Sequence, residues 1–200
     1  MKPEREQSLK KTKLSKAIKE IHSPELEKEA ESRYAKLLAE NDLRHPMLEK
    51  HLRRSILPAV AVYEALLSAG ISKETAFQVI RGSVLEAAKP MAKMFQTFGK
   101  LPFFFGLLRK MCPLSVRKEF GEAGWDMEWK RNDRSGIEWD CHRCFYADMF
   151  KHYGVPELTP AFCESDDVVY GKIPGVRWGR TKTIGGGAGI CDFRFYKQHN

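Results

Sequence analysis

The apolar residues of this chain recur at helical spacing over roughly the first 120 positions and at strand spacing over much of the remainder. From Ser23 the run "SPELEKEAESRYAKLLAEN" opens with a serine, then a proline at the first helical position, then early glutamates. That order marks a helix start and predicts one charged helix to about Asn41. Between residues 46 and 69, Leu48, Leu52, Ile56, Val60, Tyr63 and Leu67 fall three or four positions apart. A core helix is expected there, bent at Pro58 and stopped by a glycine. Ser72 caps the next helix, whose stripe runs through Phe77, Ile80, Val84 and Ala88. "KLPFFFGLLRKMCPL" is the most apolar stretch and is expected to form a buried helix with Cys112 in the core, or else the wall of an apolar pocket. It is too short to cross a bilayer, which needs about 20 apolar residues.

After Phe120 the period becomes two. "WDMEWK" alternates Trp125, Met127 and Trp129 with Asp126, Glu128 and Lys130; "NDRSG" is a turn; "IEWDC" alternates again. This predicts a β-hairpin. Two short helices come next, from about Phe145 to Tyr153 and from about Thr159 to Tyr170. A second hairpin is expected from "VRWGRTKTI" and "ICDFRFYK", joined by a glycine-rich turn. The fold class is α+β: N-terminal helices packed with a C-terminal antiparallel β-sheet of two hairpins, with the two short helices inserted between them. Residues 1–22, basic and weakly patterned, read as a mobile arm. Residues 23–200 read as one α+β domain, helical to about 120 and sheet-forming and cysteine-rich from about 121. The absence of βαβ alternation argues against dinucleotide, thioredoxin and P-loop folds.

Charge adds a partner class. The net charge is +8, but basic and acidic residues interleave, so no nucleic acid is expected and a small anionic substrate is. The charged N-terminus does not resemble a secretory signal, and a cytoplasmic location is expected. The five cysteines are then expected as free thiols. Self-association is left open.

The candidate chemistry is concentrated in those thiols. "CHRC" sets Cys141 and Cys144 at a strand-to-helix junction, where a thiolate is favoured. Cys141, Cys144, Cys163 and Cys191 together number enough for a divalent metal, although the spacing lacks a second close pair. In "FCESDDVVY", helical spacing places Asp166 and Asp167 on the face of Cys163. On the last strand Cys191 shares a face with Phe193 and Phe195, and Asp192 and Arg194 share the other. Arg180, Thr181, Thr183 and Arg194 are suited to holding a substrate carboxylate.

The run from "CFYADMFKHYGVPEL" through "FCESD" to "RTKTIGGGAGICDFRF" resembles the L-2-amino-thiazoline-4-carboxylic acid hydrolase family, over about residues 55 to 197. Matching positions are Cys144, Pro156 to Leu158, Cys163 with Asp166, Arg180, Thr181, Thr183, Gly187 and Cys191 to Phe193. The resemblance implies hydrolytic opening of a cyclic amidine-like thiazoline to an N-carbamoyl-cysteine type product. Cys144, Cys163 or Cys191 would then be the nucleophile, or a ligand to a metal that activates water. Asp166 would hold the amidine or move protons, and Arg180 and the threonines would hold the carboxylate. A non-catalytic ligand-binding or sensor domain, with or without a cysteine-bound metal, is the alternative.

Overall fold

A computed structural model of the chain describes residues 8–198. Two compact units are present: residues up to Ala87 with Phe150–Ala161, and Ala88–Met149 with Phe162 onward.

The first unit is helical. Helix α1 spans Ser15–Glu20, α2 Pro24–Glu40, α3 Pro46–His51 and α4 Leu57–Ser68, and α5, Lys73–Phe98, begins here. Ser23 caps α2 by accepting from the Leu26 N–H at 3.3 Å, with Pro24 in its first turn as expected. Ala30, Tyr34 and Leu37 form its buried stripe. Between α3 and α4 the expected single helix is interrupted by a π-helical turn, Leu52–Ile56. Pro58 explains it. A proline inside a helix has no N–H to donate to the carbonyl four residues back and clashes with it, here that of Arg54. The Arg54 carbonyl instead accepts the Lys13 N–H at 3.0 Å, and the neighbouring Arg53 carbonyl accepts the Tyr34 hydroxyl at 2.7 Å.

The bond from Lys13 bears on the basic N-terminal stretch, whose residues 1–7 lie outside the described residues. Residues 8–20 of it are folded: Leu9, Leu14, Ala17 and Ile18 are buried. The Ser83 hydroxyl donates to the Lys13 carbonyl at 3.0 Å and accepts the Ala17 N–H at 3.1 Å. Leu9, Leu14 and Ile18 are spaced five and four apart, an apolar set weaker than the basic residues around it.

The second unit carries the sheet. Its strands are β1 Trp125–Asn132, β2 Gly136–Cys144, β3 Val176–Trp178 and β4 Cys191–Lys197, all antiparallel in the order β1-β2-β4-β3. Helix α6, Phe104–Glu119, precedes the sheet, and α7, Phe145–His152, and α8, Thr159–Tyr170, lie in sequence between its two hairpins. Asp133 makes the first turn by accepting the Ser135 and Gly136 N–H groups. One sheet face is apolar: Ile137, Trp139, Phe195 and Val176 are buried with Phe104, Phe105 and Leu108 of α6, and Phe95, Tyr170 and Phe193 pack against them. Trp139 lies opposite Phe193 in the ladder and their rings stack at 4.9 Å. Near this core a Cβ on Gly99 would stand 2.8 Å from both Ile173 and Pro174, so the close approach there requires glycine.

Two expectations need adjusting. The stretch "VRWGRTKTI" is a strand only as far as Trp178; beyond it, the backbone of Thr181 and Lys182 bonds to a side chain. The apolar α6 stretch is half buried, since Phe104, Phe105 and Leu108 face inward while Leu101, Phe103, Leu107, Met111 and Leu114 are exposed.

Candidate active site

The cysteines converge because strand pairing and helix position bring them together. Cys141 of β2 stands opposite Cys191 of β4, and both are buried. Cys144 ends β2 where α7 begins, and Cys163 is in the first half of α8. Cys144 and Cys163 both lie within electrostatic reach of Cys191 and Asp166.

The thiols are not equivalent. Cys191 is held below the ordinary thiol range, first by hydrogen bonding with the facing Cys141, which outweighs the opposing effect of burial, and then by the Ile184 N–H and the Arg180 charge; the Cys141 thiol itself donates to the Arg143 carbonyl at 3.0 Å. The Ile184 N–H stands 3.2 Å from the Cys191 sulfur. Cys141 is driven the other way, first by its hydrogen bonding with Cys191 and then by burial. Burial pushes Cys144 up to about 11, even though the Ala147 and Tyr146 N–H groups at the start of α7 oppose it. Burial, reinforced by the negative neighbours Cys191 and Asp166, takes Cys163 up to about 12. The thiolate is the nucleophilic form of cysteine, and Cys191 is the thiol of these four that is shifted toward it.

Arg180 ties the acidic helix to this strand. Its side chain is only 4% exposed and donates to Asp166 at 2.8 Å, to Asp167 at 2.7 Å and to the Cys163 carbonyl at 2.7 Å. The Trp178 indole N–H donates to the other oxygen of Asp167 at 2.8 Å.

The loop before Cys191 is fixed from the opposite sheet face. The Asp192 carboxylate accepts the Thr181 N–H at 2.9 Å, the Thr181 hydroxyl at 2.7 Å and the Lys182 N–H at 2.5 Å. Burial would raise Asp192, but these donors prevail and hold it below the usual carboxyl range. Thr183 caps the short 3-10 turn Ile184–Gly186 by accepting the Gly186 N–H at 2.9 Å, and Gly187, at φ +89°, leaves the turn in the left-handed region. Thr181 and Thr183 therefore shape the loop that delivers the Ile184 N–H. Arg194 is on the face away from Cys191, bonded to the Trp139 carbonyl at 2.7 Å and paired with Asp140 and Glu138.

Two features have no sequence signal of their own. Trp139, on the Cys141 face of β2, has a buried indole N–H with no hydrogen-bond partner, alone in this respect among the buried side-chain nitrogens and oxygens of the described residues. Glu128, Asp140 and His142 are the one trio of His, Cys, Asp or Glu among the described residues whose ligand atoms lie within 4.8 Å of one another. The cysteines, all of them among the described residues, form no such trio. The Lys130 ammonium already pairs with Glu128 at 2.5 Å and approaches Asp140 to 3.8 Å, so the protein supplies its own cation to that cluster. A separate cleft of about 410 Å³ in the first unit, lined by Tyr63, Lys73, Glu74, Phe77 and Glu157, contains none of the cysteines.

No curated protein matches the chain. The family model for L-2-amino-thiazoline-4-carboxylic acid hydrolase matches residues 49–195, nearly three quarters of the sequence and every cysteine in it. The chain belongs to the L-2-amino-thiazoline-4-carboxylic acid hydrolase family.

Proposed function

We propose that the protein is a hydrolase that opens a cyclic amidine of the 2-amino-thiazoline-4-carboxylate type, with Cys191 as nucleophile. The observation that carries this reading is the placement of Cys191, which faces Cys141 in the ladder and accepts the Ile184 N–H at 3.2 Å, with Arg180 and Asp166 in electrostatic reach.

The Cys191 thiolate adds to the ring carbon between nitrogen and sulfur, and the ring carbon–sulfur bond breaks, releasing the substrate sulfur as a thiol once it takes a proton. The carbon is now bound to Cys191 as an isothiourea. Water attacks it and expels the Cys191 thiolate, leaving a urea; one water is consumed and the enzyme is regenerated. Asp166 holds the amidine nitrogens and relays the proton. Arg180 orients Asp166 and supplies the positive charge that favours the thiolate. Thr181, Thr183 and Gly187 hold the loop that donates the Ile184 N–H to sulfur, while Cys144 and Cys163 wall the site as neutral thiols. The metal-ligand reading of the cysteines is less well supported, because three of them do not approach one another as ligands do.

The test is incubation of the purified chain with L-2-amino-thiazoline-4-carboxylate, following new free thiol and the N-carbamoyl-cysteine mass. Turnover in the wild type and its loss in Cys191→Ser are expected. Undiminished turnover in that variant would overturn the assignment, and ligand binding without turnover would make the chain a binding module.

A further inference from the structure

Nine large apolar side chains are conspicuously exposed among the described residues, and eight of them lie between Met91 and Leu114 in the second unit. Met91, Met94 and Phe98 are on the last turns of α5, Leu101 and Phe103 in the connection, and Leu107, Met111 and Leu114 on α6. On each helix they recur every three or four residues, forming one stripe, while Ala92, Phe104, Phe105 and Leu108 face inward. The chain here also carries a long run of one-signed charge. Between Glu86 and Glu119 there is no acidic residue, and there are seven basic ones: Lys89, Lys93, Lys100, Arg109, Lys110, Arg117 and Lys118. This segment accounts for +7 of a net charge of +8.

We propose that this segment, from the last turns of α5 through α6, docks on an anionic phospholipid surface, lying in the interface with its exposed apolar side chains sunk among the acyl chains and its cations against the headgroups. An apolar face of this extent on a folded unit marks an interaction site. A helical face that combines exposed Phe, Leu and Met with flanking Lys and Arg meets both requirements of interfacial binding, apolar burial and attraction to anionic lipid. No helix of the described residues is long and apolar enough to cross a membrane, so the contact is peripheral. A second copy is a poorer occupant, since a two-fold contact through this face would set seven cations against seven. The surface also offers few hydrogen-bonding side chains to specify a protein partner; Gln96, Thr97 and Ser115 are its only uncharged polar ones from Ala87 to Lys118.

The full chain is tested by flotation with vesicles of phosphatidylcholine alone and with about one third phosphatidylserine. Binding only to the anionic vesicles, weakened by salt, is expected. Met94→Ser with Leu107→Ser and Met111→Ser should reduce it at least about tenfold, as should Lys93→Glu with Lys110→Glu. Both variants alter exposed positions, and their circular dichroism and wild-type thiazoline turnover serve as folding controls. No flotation with either vesicle, retention that both variants leave unchanged, or concentration-dependent dimerisation abolished by the apolar variant would each overturn the proposal.

Discussion

Cys141 and Cys191 face each other across β2 and β4, the thiol of the first donating to the Arg143 carbonyl at 3.0 Å and the sulfur of the second accepting the Ile184 N–H at 3.2 Å. The pair divides its protons unequally: Cys141 keeps its proton while Cys191 gives one up below the ordinary thiol range. An unpaired thiol ionises near about 8.5.

The pH profile reports this division. With Cys191 as the nucleophile, kcat/KM rises with pH as its thiolate forms and reaches its plateau below the range of a free cysteine. Cys141→Ala removes the side chain that does most to lower Cys191 and moves the rising limb to higher pH; Cys141→Ser keeps a polar hydrogen there and moves it less. A limb that stays in place in Cys141→Ala would separate the two residues functionally.

Thiol labelling gives a second, substrate-free test. At neutral pH one equivalent of iodoacetamide should enter the native chain quickly, and peptide mapping should place it on Cys191. Cys144 and Cys163, held neutral by burial up to about 11 and about 12, should react only after denaturation.

Those neutral thiols also make stability fall on the alkaline side. Cys112, Cys144 and Cys163 all have folded-state values raised by burial. Their contribution is complete below the unfolded value near about 8.5 and is lost as pH climbs from there toward the raised folded values. The unfolded chain releases protons that the native chain keeps, at a cost of roughly 1.4 kcal/mol per thiol per pH unit. Urea midpoints measured in reductant at pH 8 and pH 9.5 should show the decline, and Cys112→Ala should make it shallower.

Asp192→Ala deletes three hydrogen bonds at once and should destabilise the chain by about 3 kcal/mol. It should also slow Cys191 alkylation several-fold, because the loop presenting the Ile184 N–H is released. Thermal melting and labelling rates check the two effects independently.

The expected elements are present because each had local chemistry behind it. The Ser23 and Ser72 caps, the glycine stops and the alternation of β1 and β2 are nearest-neighbour signals, and the inward face of Cys191, Phe193 and Phe195 follows from period two alone. Other features depend on groups distant in sequence. The π-turn at Leu52–Ile56 combines Pro58 with a carbonyl taken by Lys13. The early end of β3 rests on Asp192 capturing the amides that would otherwise extend it. In the site, the four thiols, Asp166 and Arg180 could be named from the residues. Their ranking could not, because it depends on which thiols face each other across the ladder and which backbone amide reaches the sulfur.

β4 places Cys191 and Asp192 side by side, so the pleat sends the thiol to one side of the sheet and the carboxylate to the other. The carboxylate grips Thr181 and Lys182, and three residues along the same loop the Ile184 amide reaches around to the sulfur. Sliding β4 by one residue would turn an acid toward the reactive side and the thiol away from it. The Asp192 clamp thus acts as a locating pin: it allows a single alignment of the strand, and in that alignment the sulfur that reacts is already chosen.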